Sequence, residues 1–116
     1  MVSLKRELSL DSKLIENIIF YMSNGHTVII SCSNPEGTKS NVFALSWLTF
    51  GSYNPPLFLM TVSPGNFSHS LIKVSREFVI NVPSSKLKDI VGQAGSMHGD
   101  KVDKIKKLGL TPLKAK

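Results

Sequence analysis

Residues 27–50 read TVIISCSNPEGTKSNVFALSWLTF, and this stretch decides the fold. Its first part, Thr27–Ser33, is rich in β-branched side chains and predicts a strand. Asn34–Thr38 contains a proline and a glycine and predicts a turn. A second strand is expected from Lys39 to about Phe50. The stretch as a whole therefore predicts an antiparallel hairpin.

Two more strands are expected after this hairpin. The Asn54–Pro56 turn precedes Leu57–Val62, a nearly all-apolar run that we expect to be buried on both faces. Glu77–Val82 is the fourth expected strand, and Pro83 closes it because proline cannot donate to a sheet.

Helices are expected where apolar residues recur at helical spacing between turn signals. They are expected within Leu10–Ser23, after Ser63–Asn66, from Ser85 to Gln93 with Ser84 as N-cap, and from Lys101 to Leu108 with Gly109 ending the last. Consecutive strands with tight turns favour an antiparallel sheet or barrel over a doubly wound parallel sheet. Four strands do not close a barrel easily. We therefore expect one mainly β domain with flanking helices over residues 1–116.

The net charge of +6 does not indicate a nucleic-acid binder, because of where the charge lies. Residues 101–116 hold six lysines and one aspartate, so they carry a balance of +5 and the rest of the chain is close to neutral. A lysine-rich end is most often solvated surface. Arg6 and Arg76 are the only arginines, and they do not form a cluster. No nucleic-acid partner is expected.

The titratable residues do not form a recognisable catalytic or metal site. Cys32 is the only cysteine, lies in an expected strand and is predicted to be buried and inert. His26, His69 and His98 lie in separate segments without metal-ligand spacing. The sequence shows neither a secretory signal nor an apolar run long enough to span a bilayer. A cytoplasmic protein without a membrane partner is therefore expected.

One segment of small polar residues could hold a flat heteroaromatic ring. Ser46, Trp47 and Thr49 lie at the end of an expected strand beside the Asn54–Pro56 turn. An indole next to exposed backbone groups offers the apolar wall and the few hydrogen bonds that such a ring needs. On spacing alone, an ordinary core position for Trp47 is the favoured interpretation.

Two other segments could bind a phosphate. Ser63–Ser70 opens a helix, where free N–H groups and the helix dipole attract anions, and Ser68 and His69 could add donors. A later loop leads into a helix with Lys101 and Lys104, which could neutralise a phosphate as point charges. Considered singly, an ordinary capped helix and a solvated lysine face are the favoured interpretations.

Taken in order, these segments resemble the flavin reductase-like family, which includes flavoredoxins. The resemblance extends from Thr27 to Pro112, and each of its motifs is weak alone. The motifs are Asn41–Trp47 with Thr49, Asn54–Pro56, Ser63–Gly65 leading to Ser68 and Leu71–Lys73, Phe78–Pro83, Gly99–Lys104 and Gly109–Pro112.

This resemblance implies an antiparallel FMN-binding split β-barrel with flanking helices, usually a homodimer with FMN near the interface. It also implies the cofactor-binding residues. Those implied for the flavin are Asn41, Ser46, Trp47, Leu48 and Thr49, and those implied for the phosphate end are Ser68, His69, Lys101 and Lys104.

Two departures from the family pattern bear on these expectations. Asn66 stands where the family often has an arginine, which removes a natural phosphate partner. Family members also usually continue beyond the segment Gly109–Pro112 with strands that complete the barrel. The barrel is therefore expected to be incomplete in this chain.

Two functional hypotheses follow from the resemblance. The first is an FMN-binding flavoprotein in electron transfer, similar to NAD(P)H:flavin oxidoreductases, in which FMN performs the redox chemistry and NADH or NADPH is the candidate donor. No catalytic side chain is required for such a hydride transfer. The second is a non-catalytic or truncated interaction protein that kept the scaffold and lost full flavin activity. Whether the chain is an NAD(P)H-dependent FMN reductase stays open at this point.

Overall fold

The computed structural model describes Lys13 and residues 26–115. Apart from Lys13, the helix expected within Leu10–Ser23 lies outside the described residues. The strands from residue 26 onward are β1 (Val28–Ser33), β2 (Ser40–Leu45), β3 (Leu48–Ser52), β4 (Leu57–Met60) and β5 (Val79–Asn81). The helices in the same part of the chain are α1 (Phe67–Ser75), a 3-10 helix (Ser85–Leu87), α2 (Lys88–Ser96) and α3 (Lys104–Lys107).

The predicted hairpin is confirmed. Strands β1 and β2 pair antiparallel, with Ser33 opposite Ser40 next to the turn. Asn34 organises the turn, because its Oδ1 accepts the Lys39 N–H at 2.8 Å and its backbone carbonyl accepts the Gly37 N–H at 3.0 Å. Gly37 has a φ of 68°, a left-handed conformation that glycine adopts without steric cost.

The second expected strand, Lys39 to about Phe50, is wrong as a single element. Strand β2 ends at Leu45, opposite the first residue of β1, and β3 begins at Leu48 in another sheet. At the junction the Ser46 hydroxyl lies 2.8 Å from that of Thr27. The chain changes sheets here because β1 offers no further residues to pair with. No glycine or proline marks this change in the sequence.

The strands form two separate antiparallel sheets. The larger has the order β2-β1-β5, and the smaller consists of β3 and β4. Strand β5 is shorter than the expected Glu77–Val82. It is held in place in part by Asn81, whose Nδ2 donates to the Ile29 carbonyl and to Ser31 Oγ, each at 3.0 Å. Among the described residues the strands do not close into a barrel. This agrees with the incomplete barrel that the sequence predicts.

Both faces of the β1–β2 hairpin are buried, which makes β2 a rigid support. Because side chains alternate along a strand, one face buries Val28, Ile30, Phe43 and Leu45, against which Leu48, Met60, Val62, Ile72 and Ile80 pack. The other face buries Ile29 and Val42 together with Ala94 of α2 and Leu108, next to α3. Burying each such aliphatic side chain contributes about 1.5–3 kcal/mol to folding.

Strand β4 does not have the burial expected of it. Leu57, Phe58 and Leu59 are 51%, 50% and 61% exposed, so burial on both faces is wrong. The cause is that β3 and β4 form a two-stranded ribbon, of which only Leu48 and Met60 are packed against the core. Phe58 instead packs edge-on against Phe50, with ring centroids 5.1 Å apart.

Three helix boundaries differ from expectation. Ser84 makes no side-chain cap, and the 3-10 helix that follows it delays the start of α2, which then continues to Ser96. The last helix begins at Lys104 rather than Lys101, because Asp103 is its N-cap and accepts the Lys106 N–H at 3.1 Å. The prediction that this helix stops by Gly109 is confirmed.

We expect Gly37→Ala to lower the free energy of unfolding by about 1 kcal/mol, because an L-residue strains in the left-handed conformation. No heavy atom would lie within 4 Å of the added Cβ, so the cost is purely conformational. Urea denaturation followed by circular dichroism measures it. The matched control is Gly92→Ala in α2, which has equally open space and is expected to be neutral or stabilising. Equal effects of the two changes would contradict this account of the turn.

Candidate binding cleft

A cleft lies between the N-terminal end of α1 and the loop of residues 97–103, and it has two adjoining compartments. The inner compartment has a volume of about 260 Å³ and the outer one about 300 Å³. Gly65, Asn66, Phe67 and His98 line both. The inner compartment is also lined by Phe43, Ala44, Ala94, Met97 and Lys104, and the outer one by Pro64, Ser70, Asp100 and Lys101.

The first wall of the cleft is the start of α1. Asn66 is the N-cap, because its Oδ1 accepts the Ser68 N–H at 2.9 Å. The Asn66 carbonyl also accepts the His69 N–H at 2.9 Å. No acidic residue lies in the first turn to neutralise the positive end of the helix dipole. Asn66 thus shapes this wall as a helix cap.

The second wall is the 97–103 loop, which Lys104 closes at its base. The Lys104 ammonium donates to the Ala94 carbonyl at 2.8 Å, ten positions earlier in the chain. Only 5% of Lys104 is exposed, and burial lowers the pKa of its amine. The acceptor lies near the C-terminal end of α2, where a cation is favourable for the helix dipole. Within the loop, the His98 carbonyl accepts the N–H groups of Lys101 and Val102, each at 3.2 Å.

Asn41 lies between the two walls, on β2. Only 1% of it is exposed, and its Nδ2 lies 2.8 Å from Ser68 Oγ in the first turn of α1. On the other side Gly99 packs so closely against it that a Cβ at position 99 would collide with the Asn41 amide group. Asn41 Oδ1 has no hydrogen-bond partner in the described part of the chain. A single buried amide therefore contacts both walls.

The structure brings only some of the predicted site residues to the cleft. Lys101 lines the outer compartment and Lys104 the inner one. Asn41 and Ser68 lie behind the walls, and Ser68 has no exposed surface. His69 lies in the first turn of α1, is partly buried and lines neither compartment.

The residues expected at the flavin ring lie elsewhere. Ser46 and Trp47 join β2 to β3, and Leu48 and Thr49 begin β3; none of the four lines the cleft. Trp47 is 54% exposed, so it is not the core residue that spacing alone favoured. Its carbonyl accepts the Thr61 N–H at 3.2 Å, which links this segment to the chain that leads into α1.

Sequence reasoning missed His98 and Gly99. The sequence pattern gives His98 no role beyond the absence of metal-ligand spacing, yet His98 lines both compartments. Gly99 appears in the sequence only as the start of the motif Gly99–Lys104, whereas in the structure it is the residue that lets the loop approach Asn41. The only signal for either was the position of the loop just before a lysine-bearing helix. The sequence does not predict which side chains of a loop will line a cleft.

Cys32 is buried and has no disulfide partner, which confirms the prediction of a buried thiol. Burial raises the pKa of the Cys32 thiol, and a hydrogen bond with Ser68 offsets part of that rise. Between residues 26 and 115 and at Lys13, no group of three or more His, Cys, Asp or Glu side chains could hold a metal ion. No helix in that same part of the chain has the length and hydropathy to cross a membrane.

Comparisons with known proteins find one family and a set of similar structures. The family model described as "Flavin reductase like domain" matches residues 21–116. An uncharacterized protein of Archaeoglobus fulgidus is 37% identical over 78 residues, which are 67% of this chain and 44% of that protein. An uncharacterized protein of Pyrococcus abyssi is 37% identical over 75 residues, 65% of this chain and 42% of that protein. The chain thus spans less than half the length of these relatives.

Two solved structures share the fold. Flavoredoxin of Desulfovibrio vulgaris (Miyazaki F) superposes with a TM-score of 0.72 at 20% identity, covering 97% of this chain and 54% of that one. An FMN-binding protein from Thermus thermophilus, with bound 1-cyclohex-2-enone, superposes with a TM-score of 0.71 at 28% identity, covering 91% of this chain and 55% of that one. The antiparallel sheets and flanking helices described above therefore correspond to about half of each of these proteins.

We expect the stability difference between the wild type and Lys104→Met to shift in favour of the wild type as pH rises from 7 toward 10. Burial lowers the pKa of the folded Lys104 amine, so the unfolded chain holds this proton to a higher pH. Because the unfolded state then binds more protons, the free energy of unfolding rises with pH between the folded pKa and the ordinary value of about 10.4. Methionine does not titrate, so the difference isolates this group.

Urea denaturation of both proteins at several pH values measures this difference. Lys106→Met is the matched control, because Lys106 is an exposed lysine of the same helix. The difference in free energy of unfolding between this variant and the wild type is expected to change less with pH. A Lys104 difference that stays constant or falls as pH rises would contradict burial of a charged amine at this position.

Proposed function

This chain belongs to the flavin reductase like domain family, and from that membership and the cleft we propose that it is an FMN-binding flavoprotein that takes part in electron transfer. The observation that carries the proposal is the cleft itself, in which the start of a helix faces a lysine-bearing loop. The outer compartment offers Lys101 and His98 as polar groups, and the exposed indole of Trp47, which lies outside the cleft, offers an apolar face. FMN combines a phosphate with a flat apolar ring and requires both kinds of surface.

We assign the phosphate to the outer compartment. The start of α1 lies on one side of it, and an unneutralised helix N-terminus favours an anion. Lys101 adds a charge on the other side. The carboxylate of Asp100 also lines this compartment, so the attraction for phosphate depends on Lys101 together with the helix dipole. Charge-assisted contacts of this kind contribute about 1.5–3 kcal/mol each.

For the ring we retain the segment Ser46–Thr49. Trp47 presents more than half of its surface to solvent, so an aromatic ligand can stack on the indole. The Trp47–Thr61 hydrogen bond holds this segment beside the chain that leads into α1, five residues before Asn66. The ring segment and the phosphate wall are therefore joined by a short stretch of backbone.

The redox part of the proposal belongs to the cofactor. When bound, FMN supplies the electron-transfer chemistry, and this chain's residues bind and orient it. NADH or NADPH is the proposed donor. A homodimer is proposed as well, with the exposed apolar side chains of the β3–β4 ribbon, such as Phe58 and Leu59, as the surface to be covered.

The second candidate function is a non-catalytic interaction protein on the same scaffold. The observation that favours it is this same ribbon, because Trp47, Phe50, Phe58 and Leu59 all remain half exposed or more. An apolar surface of this kind on a soluble domain marks an interaction site or a ligand site. A flavin titration separates the two functions.

We expect the protein to bind FMN about ten- to hundred-fold more tightly than riboflavin, which lacks the phosphate. Titrations followed by flavin absorbance and by Trp47 fluorescence measure both affinities. Lys101→Gln is expected to weaken FMN binding several-fold and to leave riboflavin binding unchanged. Lys86→Gln, an exposed lysine in the 3-10 helix that lines neither compartment, is the matched control.

Absence of FMN binding at high micromolar concentration would overturn the flavoprotein proposal and favour the interaction protein. If FMN binds, addition of NADH or NADPH without oxygen tests the donor. Loss of the yellow flavin colour is the expected result, and persistence of that colour with both donors would contradict the reductase part of the proposal.

We expect Trp47→Ala to weaken FMN and riboflavin binding by the same factor, about five- to hundred-fold, because base–aromatic stacking is worth roughly 1–3 kcal/mol and acts on the ring that both ligands share. Flavin absorbance measures the affinities of this variant. Tyr53→Ala is the matched control, since Tyr53 lies in the turn between β3 and β4 and is 88% exposed. Equal effects of the two changes would argue against a specific role for the indole.

A further inference from the structure

We propose that Asn41 is a positioning residue that sets the smallest separation between the two walls of the cleft and thereby the preference for phosphorylated over phosphate-free flavin. It acts through Ser68 and Gly99 and does not touch the ligand. The preference between flavins rests on the proposed function. The contacts of the Asn41 amide with Ser68 and Gly99, which we call the strut, can be tested without any flavin.

Burial places Asn41 behind the cleft. Its exposed fraction is 1%, and its Oδ1 is fully buried. Its backbone is paired with Cys32, one pair before the end of the β1–β2 ladder at the turn. The amide group therefore projects from a paired strand, and a ligand in either compartment meets other residues first.

On the α1 side the contact is a hydrogen bond. Asn41 Nδ2 donates to Ser68 Oγ at 2.8 Å, and the Ser68 N–H donates in turn to Asn66 Oδ1 at 2.9 Å. Asn66 lines both compartments. A short chain of hydrogen bonds thus connects β2 to the surface of the first wall and fixes the direction in which α1 begins.

On the loop side the contact is steric. Gly99 packs against the same amide, and its neighbour His98 lines both compartments. Asn41 Oδ1 finds no donor among the described residues, so no hydrogen bond to this oxygen draws the loop toward the amide. The amide stops the loop from moving closer to α1 but does not stop it from moving away.

This asymmetry predicts that opposite changes of size displace the loop in opposite directions, and that either displacement disturbs the cleft. Removing the amide with Asn41→Ala lets the loop collapse toward α1, because the stop is lost. Adding a methyl group with Gly99→Ala pushes the loop outward, since its Cβ collides with the amide. Either change displaces Lys101 relative to the helix N-terminus. In the double variant the new methyl group occupies space that the amide has left.

The first test needs no ligand. Amide hydrogen exchange in the flavin-free protein reports on the loop, and the useful reporters are the N–H groups of Lys101 and Val102, which bond to the His98 carbonyl. We expect their exchange to accelerate at least ten-fold in Asn41→Ala and in Gly99→Ala, and to return toward the wild-type rate in the double variant. Gly92→Ala, whose Cβ meets nothing within 4 Å, is the control and should leave these amides unchanged.

The second test measures the ratio of FMN to riboflavin affinity in the same proteins. We expect each single change to lower this ratio at least five-fold, and the double variant to recover most of it. A merely structural role would weaken both ligands together and leave the ratio unaltered. In folded single variants, an unchanged ratio would overturn the role of Asn41 in flavin preference, and unchanged loop exchange would overturn its role in positioning the loop.

Thermal unfolding by circular dichroism identifies any variant that fails to fold. Should Asn41→Ala unfold, Asn41→Ser replaces it, because serine shortens the strut and keeps a polar atom. Failure of the wild type to bind either flavin overturns the proposed function alone, since the exchange measurement still decides whether Asn41 sets the position of the loop. If the exchange of the Lys101 and Val102 amides accelerates as much in Gly92→Ala as in the Asn41 and Gly99 variants, the proposed role of Asn41 is overturned.

Discussion

The contact on which the cleft depends is the one that the Asn41 amide makes with both walls. Its hydrogen bond to Ser68 orients the first turn of α1, and its contact with Gly99 places the 97–103 loop. Burial of an amide with only one of its two polar atoms satisfied costs free energy, and such groups are rare in folded proteins. The surrounding core offsets this cost. We therefore attribute the amide at position 41 to the geometry of the cleft and not to a gain in stability.

That core can hold the amide only because both faces of the hairpin are covered. One face of β1 and β2 packs against α1 and the ribbon, and the other packs against α2 and the residues around α3. Helix α1 and the loop before α3 are therefore attached to opposite sides of one strand pair. Lys104 completes the arrangement, because its bond to the Ala94 carbonyl ties the base of the loop to the end of α2.

Much of this fold was predictable, and the failures have physical causes. The β-branched run and the Asn34–Thr38 turn predicted the hairpin correctly, because both signals are local. The break after Leu45 carries no local signal, since it arises where the partner strand runs out. The apolar run from Leu57 predicts a strand but not what covers it. Of the predicted site residues, Lys101 and Lys104 line the cleft, whereas Asn41 and Lys104 are buried in the protein interior. The sequence does not distinguish a polar residue that binds a ligand from one that contacts another part of the protein.

The two functional hypotheses make different demands on the exposed ribbon. A flavin stacked on Trp47 would shield the indole and extend toward the helix N-terminus and Lys101, so its binding must depend on charge at the phosphate end. A protein partner would instead cover Phe58 and Leu59, and Lys101 would matter little to it. The charge and the spacing of the cleft come from the start of α1 and the 97–103 loop, both of which pack on the β1–β2 hairpin. The proposed selectivity between flavins therefore rests on residues other than those that a protein partner would cover.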